Sequence, residues 1–321
     1  MVSSYYYRQA SELNRELKRA IPADRLKALH RKRPALHLAL ALRQLLLMIA
    51  MPLMIYHVSS PLVRVAAMVM QGVLVFSFTV LLHEVVHKAV FNRDPYNLNR
   101  WLGYVYGSFS GLAASQFKRW HLDHHDQLGT TDLDPKRAYL SPKINARWYK
   151  LLYCTPFLYP LYFRAAYIAA KAYPPELQKK IKRERIVAIG FHLGLLGAYA
   201  VLVSPGFALM AHAIPIFIVF PCAFTLNRLG QHYVINPDDV ANWSTLMRPG
   251  KLWNFLFLYS SYHLEHHYFP AVPFYNLKAL QRELDPFYQK RGIRAFTYGQ
   301  LLKHWFVGNH VPHTDVKGAT H

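Results

Sequence analysis

Four apolar runs organise this chain, at about residues 35–56, 63–82, 186–203 and 207–225. Each is close to the roughly 20 helical residues that cross about 30 Å of hydrocarbon. The first carries Arg43 as a polar intruder. The links HVSSP and SPG join the runs pairwise with few charges, so the pattern predicts two hairpins. Lys and Arg gather outside them, in 1–34, 88–185 and 227–321. Basic excess marks the cytoplasmic face, so all three segments are expected in the cytosol. Four crossings agree with this by returning both termini to one side.

The expected fold is therefore an all-α integral membrane protein, with four transmembrane helices as two hairpins and a cytosolic helical cap. One membrane domain, 1–321, divides into an N-terminal segment (1–34), the first hairpin (35–82), a cap segment (83–185), the second hairpin (186–225) and a second cap segment (226–321). The stretch 151–170, LLYCTPFLYPLYFRAAYIAA, is apolar enough to threaten this count. It contains Pro156, Pro160 and Arg164, and a fifth crossing would split the histidine clusters described below between two faces. It is read as an interfacial or partly re-entrant helix. Residues 11–33 read as polar helical turns broken at Pro22, lying along the membrane surface. The N-terminus lacks the short apolar core of a signal peptide.

Composition adds a second signal. Hydrophobic residues make up 53% and aromatic residues 15%, yet the formal net charge is +21. A soluble chain this basic would suggest nucleic acid as partner. Here the charges are segregated from the apolar runs, which points to basic cytosolic faces and argues against a nucleic-acid partner. Cys154 and Cys222 lie far apart in no redox or metal spacing, which excludes a disulfide framework.

Eight of the 18 histidines fall into three clusters. They are HEVVH (His83, His87), HLDHH (His121, His124, His125) and HLEHH (His263, His266, His267). On a helix, positions three and four apart are neighbours, so each cluster offers imidazoles converging on one side. Neutral imidazole suits Fe, Zn, Cu and Ni, and eight imidazoles would saturate more than one ion.

The order HxxxH, HxxHH, HxxHH around two hairpins resembles the membrane fatty acid desaturase superfamily. The flanks WHLDHHDQLGTTDLDP and YHLEHHYFPAVPFYNL agree, and the resemblance covers roughly residues 81–280. It implies a di-iron centre held by histidines at the cytosolic mouth of a helical bundle. It also implies a further ligand at the end of the fourth span, for which NRLGQHYV supplies His232, preceded by Arg228 as family members often are. The implied ligands are thus His83, His87, His121, His124, His125, His232, His263, His266 and His267. Glu84, Asp123, Asp126 and Glu265 either orient imidazole N–H groups or only solvate the surface. Asn227, by analogy with the family, would hold a metal-bound water.

The implied reaction is O₂-dependent desaturation of an acyl chain. Breaking an unactivated C–H bond is beyond acid–base side chains and calls for O₂ and two electrons at a metal, with the protein supplying binding and exclusion of water. The HPGG signature of a fused cytochrome b5 module is absent, so a separate cytochrome b5 or ferredoxin is expected. A lipid or acyl substrate would enter from the bilayer. Phe76, Phe78, Tyr104, Tyr106 and Phe224 either line its tunnel or simply pack the core. Lys118 and Arg119 would meet an acyl carrier, an acidic redox partner or lipid headgroups.

Three other readings compete. A hydroxylase or ketolase of the same superfamily, acting on a sphingolipid or carotenoid, would use a related site. An intramembrane zinc protease could use HEVVH, but leaves HLDHH and HLEHH without a task. A metal transporter would place its ligands inside the spans, whereas these clusters lie at span ends and beyond. Tyr5, Tyr6 and Tyr7 suggest no role.

Overall fold

The computed structural model describes residues 5–311, and these are helical apart from their connections. Three short helices, α1 (Tyr5–Gln9), α2 (Ser11–Ala20) and α3 (Ala23–Leu29), precede α4 (Pro34–His57) and α5 (Pro61–Val86). Next come α6 (Leu98–Ser110), α7 (Ala114–Gln127), α8 (Arg147–Leu152) and α9 (Leu158–Ala170). Two long helices follow, α10 (Pro175–Leu202) and α11 (Pro205–His232). The chain finishes with α12 (Lys251–Leu256), α13 (His263–Tyr268), α14 (Phe274–Arg291) and α15 (Tyr298–Leu302).

Helices α4, α5, α10 and α11 are long and apolar enough to cross a membrane. Three of them outrun the apolar runs that reveal them. Helix α5 continues to Val86 and so carries His83 on its last turn, with His87 as its C-cap. Helix α10 starts at Pro175, because PELQKKIKRER is polar but contains good helix formers and begins with a proline at the first turn. Helix α11 runs on to His232, with π-helical turns at Leu209–Ala213 and Pro215–Val219, where Pro215 removes a backbone donor. The 151–170 stretch is interrupted instead. Helix α8 stops at Leu152 and α9 begins at Leu158, leaving 13 residues, about 20 Å, too short to cross.

The chain forms two compact units. One holds residues 33–118 and 152–225, and thus α4, α5, α6, α9, α10 and most of α11. Its centre is α5, whose apolar window is 67% buried, while that of α10 is 6% buried. Gly72 lets α5 approach α11 closely, since a Cβ there would sit 2.4 Å from the Val219 Cβ. The start of α7 is clamped within this unit. Glu184 accepts from the Ser115 backbone N–H (2.7 Å) and Oγ (2.6 Å), and Gln116 bonds both the Ala166 carbonyl and Arg185 (2.7 Å each).

The other unit holds, among the described residues, 5–32, 119–151 and 226–311. Helix α14 is its scaffold. Against it packs α2, with Leu13, Leu17 and Ile21 buried and Arg291 bonded to Glu16 at 2.6 Å. The break expected at Pro22 falls between α2 and α3, and Asn276 of α14 bonds the Leu29 carbonyl at the end of α3.

Candidate metal centre

Helix geometry decides what HxxHH can do. Successive residues turn by about 100°, so positions i and i+4 nearly coincide while i+3 falls on the other side of i. The two copies of the motif therefore split their imidazoles rather than aiming all three at one point. His263 and His267 (i, i+4 on α13) join His124 from α7 and His232 at the end of α11, with ring nitrogens within 4.8 Å of one another. His121 and His125 (i, i+4 on α7) join His266 of α13 under the same limit. Each helix thus gives its i, i+4 pair to one set and its i+3 member to the other, with the roles exchanged between the helices. The sequence reading, which aimed each cluster at one side of its helix, missed this division.

In the four-histidine set, His232 Nε2 lies 3.0 Å from His124 Nε2, 3.0 Å from His263 Nε2 and 3.2 Å from His267 Nε2. The His232 Nδ1 faces the Trp243 carbonyl at 3.0 Å. A carbonyl only accepts, so Nδ1 carries the proton and Nε2 presents a lone pair. His124 Nδ1 likewise faces the Asp134 carboxylate at 2.8 Å, which turns its Nε2 lone pair toward His232. Two acceptors face each other at hydrogen-bond distance in a buried site, an arrangement that a cation satisfies and neutral imidazoles alone do not. Burial and the surrounding imidazoles hold His267 well below the usual histidine range, favouring the neutral, ligating form. In the three-histidine set, His266 Nε2 and His125 Nε2 are 3.1 Å apart, and the His121 and His125 rings are 4.6 Å apart.

The supports of these rings are built from local sequence. Asp134, in TTDLDP, is fixed by the Thr130 hydroxyl, which accepts its backbone N–H at 2.9 Å, and by the Lys136 N–H, which donates to its carboxylate at 2.9 Å. Burial pushes its carboxyl up, against the pull of the His232 ring and of Lys136. Trp243 packs over Gly129, where φ is +93° and a Cβ would lie 2.4 Å from the indole, so only glycine serves that turn. Helix α13 is pinned by Glu265, fully buried, which accepts from Gln281 at 2.7 Å and Tyr288 at 2.9 Å. Burial pushes this carboxyl up to about 7. The Tyr268 hydroxyl donates to the Ala241 carbonyl. Lys136 is half-buried with its Nζ 3.3 Å from His121 Nδ1, and desolvation with the nearby Arg228 charge pushes it down to about 7.

The other residues singled out in the sequence fall as follows. His83 and His87, in the other unit, meet with tilted rings whose centroids are 4.9 Å apart, and Glu84, 3% exposed, lies 3.4 Å from His83 Nδ1. Asp123 pairs with Arg119 and Asp126 is exposed. Asn227 bonds Ser260 and Gln231 through its two ends. Phe78 stacks on Phe109 at 4.7 Å, Phe76 meets Phe224 edge-on, and Tyr106 bonds His37 at 3.1 Å, so these aromatics pack against one another. Tyr104 instead edges a basic cavity with Arg100, Lys179, Lys180 and Arg183.

Asp134, Trp243 and Lys136 were missed. The Asp134 motif stands in the histidine flank, but nothing in its spacing marks which acidic residue turns inward. Tyr6 was also unassigned; it is 3% exposed with its ring edge-on to His267, while Tyr5 stacks on Trp243.

A family model described as fatty acid desaturase matches residues 59–299, spanning all three histidine clusters and His232. The chain belongs to the fatty acid desaturase family. It is similar to the sphingolipid delta(4)-desaturase/C4-monooxygenase DES2 of Homo sapiens, 29% identical over 66% of this chain and 62% of that protein. It is 27% identical to the sphingolipid delta(4)-desaturase DES1 of Bos taurus over 66% of this chain and 62% of that protein. A putative sphingolipid delta(4)-desaturase/C4-monooxygenase of Caenorhabditis elegans is also 27% identical, over 74% of this chain and 62% of its own length. The alignments thus span less than two thirds of each relative. Membership accounts for HEVVH together with HLDHH and HLEHH, which the zinc-protease reading did not.

Proposed function

We propose that this chain is an integral membrane, O₂-dependent desaturase that introduces a double bond into the hydrocarbon chain of a lipid, with two irons as its metal. The observation that carries the reading is the meeting of three Nε2 atoms, from the buried His124, His263 and His267, with that of the half-buried His232 at 3.0–3.2 Å. His83, His87, His121, His124, His125, His232, His263, His266 and His267 are the proposed ligands. Imidazole donors suit iron, and when bound the irons supply the oxidising chemistry that the side chains lack.

The chain's own contribution is positional. Asp134 and the Trp243 carbonyl fix the proton of His124 and His232 on Nδ1, so that Nε2 presents its lone pair to a metal. Glu265 holds α13 on α14 and so sets where His263, His266 and His267 stand. Burial of His124, His263, His266 and His267 excludes water from their rings. Both termini and the histidines are proposed to face the cytosol, where a cytochrome b5 or ferredoxin delivers electrons. The sphingolipid relatives favour a substrate with a sphingoid chain over a carotenoid. Their names include a C4-monooxygenase, so hydroxylation of the same chain is the second reading.

A mass-resolved lipid profile of a host expressing the chain, against His124→Ala, tests this. A new species two hydrogens lighter, absent in the control, is expected. A species heavier by one oxygen moves the protein to the hydroxylase branch. Unchanged lipids, with iron bound and donor and sphingolipid supplied, overturn the reading.

A further inference from the structure

The spanning unit contains a second polar cluster, inside the apolar helices and lined by none of the nine proposed ligands. His192 of α10 and His212 of α11 face each other, Nδ1 to Nε2, at 3.4 Å. Gln71 of α5 stands with them at the edge of one cavity of about 590 Å³. Counting helical rise from the hairpin ends, these residues lie about 10–15 Å into the spans, near the middle of a bilayer core of about 30 Å. Polar side chains at that depth are costly and tend to mark function.

Among the described residues Gln71 Oε1 is buried without a partner, and His192 Nε2 is buried without a well-aligned one, although the Ser108 and Phe109 backbone stands near its ring. Gln71 is 5% exposed and His212 6% exposed, so water does not reach them freely. Leaving such groups unsatisfied costs about 1–3 kcal/mol each. Above this floor the walls are mainly apolar, with Tyr56, His57 and Tyr199 as polar exceptions. Met48, Ile49 and Leu53 come from α4, Leu195 and Leu202 from α10, and Phe207 from α11. Ile49, Leu53 and Leu202 are also exposed on the outer surface of the unit, so the cavity opens sideways toward lipid between α4 and α10. Its volume falls in the range of small-molecule sites, about 300–1,000 Å³.

The lining contains no Asp, Glu, Lys or Arg. A phosphate or carboxylate head would find no fixed positive charge there, since the basic side chains of the lining are the imidazoles of His57, His192 and His212, and burying it would be expensive. A hydroxyl suits the floor, because it donates to Gln71 Oε1 and can either donate to or accept from His192 Nε2. We propose that this cavity binds an uncharged, hydroxyl-bearing lipid from the bilayer, head down on Gln71, His192 and His212. This site is separate from the substrate reading above and does not depend on it.

Three photoreactive, clickable probes test the proposal on the detergent-purified full chain: a ceramide-type lipid, a sterol and a fatty acid. The expected result is labelling by one or both hydroxylated probes on peptides of α4 and α10, at least about tenfold above the fatty acid; whichever labels identifies the source. Gln71→Leu with His192→Phe should cut that labelling about tenfold. Leu195→Trp, which fills the cavity and leaves the polar floor intact, should cut it as well. Monodisperse elution and unchanged bound metal report that each variant is folded. Equal labelling by the fatty acid, labelling confined to other helices, or full labelling of folded Leu195→Trp overturns the proposal.

Discussion

The two units solve burial in opposite senses. Along α10 the residues on the outside are Ile186, Val187, Ile189, Leu193, Val201 and Leu202, all more than 40% exposed. In α13 the sequence HLEHHY, polar at four of its six positions, is buried throughout. A protein in water alone would invert both. The spanning unit leaves its apolar surface outward because lipid is its solvent. The histidine unit withdraws polar groups from water because each ring has a partner to meet, whether a carboxylate, a carbonyl or another imidazole. Exposed Leu and buried His are thus each explained by what surrounds them.

The contrast breaks first at the imidazoles. His263→Ala removes a nitrogen from the four-histidine set and leaves His232 facing fewer partners. Metal content of the purified protein should fall by at least one equivalent, and turnover by more than about 100-fold, beyond the 10–100-fold typical of lost supporting contacts. Retained metal with normal turnover would contradict the assignment. In the spanning unit the equivalent lesion is a charge on the lipid face. Leu193→Arg should cost about 3 kcal/mol of insertion, read as loss of membrane-integrated protein in a glycosylation-mapping assay. If α10 packed instead against protein or water, the change would be tolerated.

A smaller effect is expected at Asp134, which touches His124 but offers no nitrogen to the centre. Asp134→Asn should weaken metal binding about 10–100-fold, measured by competition with a chelator, while leaving the fold intact. Smaller still is the effect of acid on the metal-free protein. His267 is held below the usual histidine range by burial, so under pH about 6.5 the unfolded chain takes up a proton that the folded site refuses. Stability of the metal-free form should therefore fall as pH drops below about 6.5, by about 1 kcal/mol per unit for this group. Thermal unfolding in chelator from pH 7.5 to 5.5, compared between the parent chain and His267→Gln, should show a shallower slope in the variant.

The spans were legible because hydropathy over 20 residues depends on composition more than on packing. Their ends were not: polar helix formers such as ELQKKIKRER of α10 keep the helix going beyond the apolar run. The histidines were legible as clusters, since i, i+3 and i+4 spacing survives in any helix. The spacing separates each i, i+4 pair from its i+3 member, but which members meet requires the rotation of α7 against α13, which no local pattern encodes. Glu265 was recognised as a candidate, but its bonds run to Gln281 and Tyr288 rather than to an imidazole. Asp134 became visible only through the turn that brings it back onto His124, and Trp243 contributes a carbonyl, for which side-chain identity gives no signal.

Metal analysis of the intact, purified chain tests the central claim most directly. The account predicts two irons per chain, both lost in a variant carrying His124→Ala and His266→Ala. A single zinc per chain, or two irons that survive that double substitution, would contradict it.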